Sequence, residues 1–93
     1  MKFLPYLLHY QVMSIRVLFF ASLADIAGER ARHVESAEVT DVISVFNKFA
    51  AEFPEMEAHR NSILFALNSE FTRPDAPVRD GDEIAFLPPV SGG

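Results

Sequence analysis

The sequence predicts an α+β fold, a mixed four- to five-stranded sheet with one main helix packed across one face. Three observations predict it. Residues 40–53, "TDVISVFNKFAAEF", carry Val42, Val45, Phe46, Phe49 and Phe53 at spacings of three and four, an apolar helical stripe that needs a sheet to lie on. The runs "SIRVLFFAS" (14–22) and "EIAFL" (83–87) have the length and alternation of strands. Proline, glycine and Asx residues punctuate the stretches between them. Ninety-three residues leave room for one domain, and a 49 % hydrophobic content with nine phenylalanines supplies a core and argues against disorder.

Each element follows in order. In the first strand Ile15, Val17, Phe19 and Ala21 share one wholly apolar parity and belong in the core. The other parity, Arg16, Leu18, Phe20 and Ser22, carries more apolar surface than a solvated strand needs. "LADIAGER" predicts a short helical turn closed by Gly28. "RARHVES" (30–36) predicts a modest second strand, compatible with hairpin pairing to the first but not forced into it. Thr40 is expected to cap the main helix, Asp41 to complement its positive end and Pro54 to block its continuation. "EMEAHRN" reads as polar loop or a broken turn, and "SILFALN" (62–68) as a strand. Asn68-Ser69-Glu70 then predicts a turn into a short strand at Phe71 and Thr72. Pro74 and Pro77 forbid a central strand, and Asp80-Gly81 signals a tight turn. The last strand points Ile84 and Phe86 inward, and Pro88-Pro89 stops it. This element order is that of the ubiquitin-like β-grasp, with the first and last strands side by side in the centre. The predicted organisation is an extension at 1–12, a β-grasp domain at 13–87 and an extended tail at 88–93.

Composition excludes several functions. A net charge of −5 disfavours nucleic acid, because phosphate neutralisation needs clustered Lys and Arg. The same charge suits docking onto a basic protein surface. With no cysteine there is no disulfide framework, thiolate metal site or thiol nucleophile. His9, His33 and His59 share no metal-ligand spacing, and the serines lack a nucleophile-elbow context. Glycines occur only at 28, 81, 92 and 93, which leaves no phosphate-cradling loop. Asp80, Asp82 and Glu83 suit a solvated turn better than acid–base work. No metal, no bound cofactor and no catalytic site of the chain's own is expected. The opening "MKFLPYLLHYQV" is weak as a signal peptide and too short for a membrane span, so it reads as an upstream start or accessory extension and the expected location is cytoplasmic.

The end of the chain then stands out. Chance places Gly-Gly at an end on the order of 0.5 % of the time, given a glycine usage of about 7 %. Pro88-Pro89 would stiffen the exit from the last strand, and Gly92-Gly93 offers a thread without a Cβ, able to enter a narrow tunnel. A carboxylate on that thread can reach an active site built on another protein. Adenylation would make it an electrophile that a thiolate or persulfide can attack.

"VLFFASLADIAG" and "RDGDEIAFLPPVSGG" closely resemble the small, sulfur-carrier subunits of molybdopterin synthases, and the resemblance runs from about Met13 to Gly93. It implies that the Gly93 carboxylate, presented with Gly92, is adenylated by a ubiquitin-activating-like adenylyltransferase using ATP and Mg²⁺. A sulfur donor, a sulfurtransferase, would then convert it to a thiocarboxylate. The large catalytic subunit would pass that sulfur to cyclic pyranopterin monophosphate, and the family assembles as a heterotetramer. Residue parity adds a docking surface. Phe20 and Leu87 lie on the non-core parity of neighbouring strands, and Phe71 can join them, the positions matching the patch through which the family is thought to dock. Pro88 and Pro89 would aim the tail, with Val90 and Ser91 as its tunnel contacts. Three rival readings remain open: a sulfur carrier for another thio-cofactor of the thiamine thiazole type, a ubiquitin-like modifier conjugated through Gly93, and a plain interaction domain with an inert tail.

Overall fold

The computed structural model describes residues 13–89. Five strands form one sheet: β1 (Ser14–Phe19), β2 (Ala31–Glu35), β3 (Leu64–Leu67), β4 (Glu70–Thr72) and β5 (Glu83–Leu87). Three α-helices, α1 (Ser22–Ala27), α2 (Val42–Glu52) and α3 (Pro54–Glu57), interrupt them, with a 3₁₀ turn at Ser36–Glu38. The spatial order is β2-β1-β5-β3-β4. β1 and β5 are parallel central neighbours, with Val17 opposite Ile84 and Phe19 opposite Phe86. The remaining pairings are antiparallel. This is the ubiquitin-like β-grasp expected from the element order.

The core lies between α2 and one face of the sheet. Val42, Val45, Phe46 and Phe49 descend from the helix onto Ile15, Val17, Phe65, Ile84 and Phe86, all buried. Phe86 holds the centre, with ring centroids 5.5 Å from Phe46, 5.6 Å from Phe65, 5.9 Å from Phe19 and 6.2 Å from Phe49. Three of these four contacts are edge-on, the arrangement that the ring quadrupole favours. Charged groups seal the helix side. Arg32 pairs with Glu29 at 3.1 Å and with Glu52, while its guanidinium lies over Phe49 and Phe53.

Three local expectations need correction. The first strand ends at Phe19, because Ala21 adopts φ 51° as the residue before α1, so Ala21 is exposed instead of in the core and Ser22 is helical. The cap of α2 is Asp41, not Thr40. Its Oδ1 accepts from the Ser44 N–H at 3.0 Å, and Ser44 Oγ accepts from the Asp41 N–H at 3.1 Å, a reciprocal capping box. The next helical N–H groups donate to the proline-rich loop, Val42 to Ala76 O at 3.0 Å and Ile43 to Pro74 O at 2.8 Å. Finally, the stretch read as loop after Phe53 begins with α3. Pro54 occupies a first helical position, where its missing N–H is no loss, and the turn buries Met56 completely.

Candidate functional site

The candidate site is the face of the sheet that α2 does not cover. Alternation along the strands places Leu18 on β1, Leu64 and Ala66 on β3, and Ala85 and Leu87 on β5 opposite in sense to the core residues beside them. Register aligns them across the sheet. Leu18 stands opposite Ala85, Ala85 opposite Ala66, and Ala66 opposite Phe71, giving one continuous apolar row over four strands. Leu64 stands opposite Leu87 toward the C-terminal end of β5.

Two large side chains flank this row. Phe20, just beyond β1, is 44 % exposed, and its N–H donates to Phe86 O at 3.2 Å, which ties it to β5. Phe71 on β4 is 75 % exposed. Between them runs a groove of about 230 Å³ floored by Leu18, Ala66 and Ala85 and bounded by Leu87, Ser69 and Glu83. Leu64, 45 % exposed, extends the apolar surface beyond Leu87.

The sequence folds this way for local reasons. Asn68 and Ser69 take φ 52° and 72°, the left-handed pair of a two-residue hairpin turn, and so return β4 beside β3 with Phe71 on the open face. Asn68 is also pinned to β5. Its Oδ1 accepts from the Glu83 N–H at 2.9 Å, its Nδ2 donates to Asp82 Oδ1 at 3.0 Å, and its own N–H donates to Glu83 O at 2.7 Å. Gly81, at φ 85°, makes the turn that feeds β5 into its slot, and its N–H donates to Ser14 O at 2.9 Å. At the far end of the face Arg16 and Glu83 approach to 3.5 Å.

The structure therefore brings together Phe20, Phe71 and Leu87 around one groove. Pro88, half-buried, and Pro89, exposed, continue directly from β5 at the Phe20 and Leu87 end. Val90, Ser91, Gly92 and Gly93 lie outside the described residues. Sequence reasoning missed Leu64, Ala66 and Ala85 as parts of this surface. The signal was available in the period-two alternation, once Leu64 is paired with Leu87. Among the described residues no group of three or more His, Cys, Asp or Glu could hold a metal ion, and no helix is long and apolar enough to cross a membrane.

The open face defines the class: a ubiquitin-like β-grasp protein whose sheet, among the described residues, is uncovered beside the root of its C-terminal segment. The chain belongs to the ThiS family, which it matches over residues 17–93. It is similar to a molybdopterin synthase sulfur carrier subunit from Chlamydomonas reinhardtii, 34 % identical over 83 residues, covering 87 % of this chain and 100 % of the relative. Among solved structures it resembles the H. volcanii small archaeal modifier protein 1, with a TM-score of 0.72 and 26 % identity over 83 % of this chain and 98 % of that one. It also resembles a chain in the complex of subunits 1 and 2 of the molybdopterin-converting factor from Helicobacter pylori, with a TM-score of 0.61 and 27 % identity over 87 % of this chain and 100 % of that one.

Proposed function

We propose that this chain is the sulfur-carrier subunit of a molybdopterin synthase and that its own end carries the sulfur. One observation bears most of the weight: the family match extends through Gly93, the residue on which the chemistry depends. The relatives' role and the shared length of the domain support the same reading.

In this reading the Gly93 carboxylate attacks the α-phosphorus of ATP on a ubiquitin-activating-like enzyme, with Mg²⁺ balancing the phosphate charge. Pyrophosphate leaves and an acyl-adenylate forms. The persulfide of a donor sulfurtransferase attacks the acyl carbon and displaces AMP, leaving an acyl disulfide. A second thiol then cleaves its S–S bond, releasing the thiocarboxylate and ending as a disulfide with the donor sulfur. The loaded tail then enters the active site of the large subunit, where its sulfur passes to cyclic pyranopterin monophosphate. The carrier contributes no catalytic side chain. Its task is to dock and to deliver. Phe20, Phe71 and Leu87, with Leu64 beside them, form the docking surface. Pro88 and Pro89 direct the tail, while Val90, Ser91 and Gly92 occupy the tunnel. The work is cytoplasmic, and the assembly pairs each carrier with a large subunit.

A second reading is favoured by the likeness to the archaeal modifier protein: Gly93 joined to amines of target proteins. Intact-mass analysis of the protein from cells separates the two. Exchange of one terminal oxygen for sulfur is the expected result, and a ladder of conjugates without that exchange favours the modifier. Deleting Gly93 alone is expected to abolish molybdopterin formation with the thermal melt unchanged. Product formed at the normal rate by the shortened chain would overturn the mechanism.

A further inference from the structure

Among the described residues the sheet has two edges, β2 and β4, and only one of them is blunted. β4 is three residues long and runs toward Pro74, two devices that stop a strand from recruiting another. β2 is five residues long, free of proline and glycine, and in unbroken register with β1. Its outward groups can be assigned. The Phe19 N–H donates to Arg30 O at 2.9 Å, and the Ser36 N–H donates to Met13 O at 3.1 Å. Main-chain bonding alternates along an antiparallel pair, so Arg32 and Val34 also turn their N–H and C=O groups to β1. Ala31, His33 and Glu35 therefore turn theirs to the free edge.

We propose that β2 pairs antiparallel with β2 of a second copy of this chain. Charge chooses this occupant. The strand and its flanks are basic at the start, with Arg30 and Arg32, and acidic at the end, with Glu35 and Glu38. An antiparallel copy brings unlike ends together, whereas a parallel one would set like against like. Arg30, His33 and Glu35 are exposed, and none of them takes part in an ion pair among the described residues. Charge also chooses the register. A two-fold axis normal to the sheet keeps every residue on its own face, so it passes through one residue and not between two. Centred on His33, it would set imidazole against imidazole. Centred on Val34, it sets each His33 opposite the other copy's Glu35, with main-chain bonds both ways, and brings each Arg30 toward the other copy's Glu38.

One strand edge is a small contact, so the association is weak. It joins two five-stranded sheets into one continuous sheet, with both open faces on the same side. The groove between Phe20 and Phe71 lies on that face and takes no part in the pairing. In the sulfur-carrier reading above, such a pair offers two docking faces at once; the pairing itself does not rest on that reading.

Sedimentation equilibrium of the full-length chain, carried into the millimolar range, is expected to show monomer and dimer. Arg30→Glu with His33→Glu makes the strand mostly acidic, and Glu35→Lys with Glu38→Lys makes it basic. Each variant alone is expected to self-associate at least about tenfold more weakly. An equimolar mixture of the two is expected to recover a dimer containing one of each. In the unaltered chain, the amide resonances that shift with concentration are expected at Ala31, His33 and Glu35 and not at Phe71. A chain that stays monomeric, dimers indifferent to both reversals, a mixture that stays monomeric, or shifts centred on Phe71 overturns the proposal. None of these readouts involves sulfur or a large subunit, so a failure here is distinct from a failure of the sulfur-carrier reading.

Discussion

The two faces of this sheet are made by the same strands in alternation, yet among the described residues only one is closed. Phe86 is fully buried among four other rings, whereas Leu87, its neighbour in the chain, stands half-exposed beside Leu64. Phe19 is buried, whereas Phe20 is 44 % exposed. Hydrophobicity does not separate these pairs. What separates them is the supply of covering surface. α2 offers one apolar stripe, and one stripe covers one face. The second apolar face is therefore left over by the architecture, and it adjoins the strand that leads into the tail.

This contrast is most directly broken at its centre. Phe86→Ala is expected to destabilise the fold by about 3–5 kcal/mol, because the cavity opens beneath four rings that cannot all collapse into it. Urea denaturation measures the loss. The same truncation on the open face, Phe71→Ala, is expected to change stability by no more than about 0.5 kcal/mol. A loss at Phe71 comparable to that at Phe86 would mean the open face is structural after all.

The proposed docking role sharpens the contrast from the other side. Phe20→Asp is expected to leave the urea midpoint nearly unchanged and to weaken large-subunit binding by about 1–2 kcal/mol, about 5- to 30-fold. Calorimetric titration measures it. Unchanged affinity would remove Phe20 from the docking surface.

Much of this was legible because parity is a local property. Phe20, Phe71 and Leu87 could be assigned to one face from strand alternation and the Asn68-Ser69 turn alone. Leu64 could not, because the run 63–67 is apolar on both parities and its facing is open until its register with Leu87 is known. The cap of α2 was ambiguous for a different reason. Thr40 and Asp41 are both good capping residues, and the choice depends on Ser44 and on carbonyls at Pro74 and Ala76, more than thirty positions away. Met56 was hidden within a polar stretch. It is buried because Pro54 starts a fresh turn that packs α3 against α1, which no periodicity over four residues can announce. The tail proposed to carry the sulfur is the converse case, plain in the sequence at Gly92 and Gly93 but outside the described residues.

A smaller effect tests the closing element itself. Asp41→Ala removes the acceptor of the Ser44 N–H and half of the reciprocal box, and is expected to cost about 1 kcal/mol by urea denaturation. Asp41→Asn retains an acceptor and should recover most of that loss. Equal losses from both substitutions would show that negative charge at the helix start, and not the hydrogen bond, stabilises α2.

The smallest expected effect lies at the rim of the closed face, where Arg60 lies over the Phe46 ring at 5.0 Å and its Nη2 donates to Glu57 Oε1 at 2.8 Å. The hydrogen bond from Arg60 holds the Glu57 carboxyl below its ordinary range, and the charge of Arg60 adds to the effect. A carboxyl with a lowered folded-state pKa contributes stability that is present above its unfolded value and lost as pH falls through the folded one. Wild type is therefore expected to melt slightly above Glu57→Gln at neutral pH. The gap should close as the solution is acidified through the carboxylate range, and it should shrink in high salt because both groups are solvent-exposed. A gap that persists unchanged into acid would assign the difference to the packing of Arg60 over Phe46. The rim would then be held by the ring contact, and the ion pair would be incidental to how the helix face is sealed.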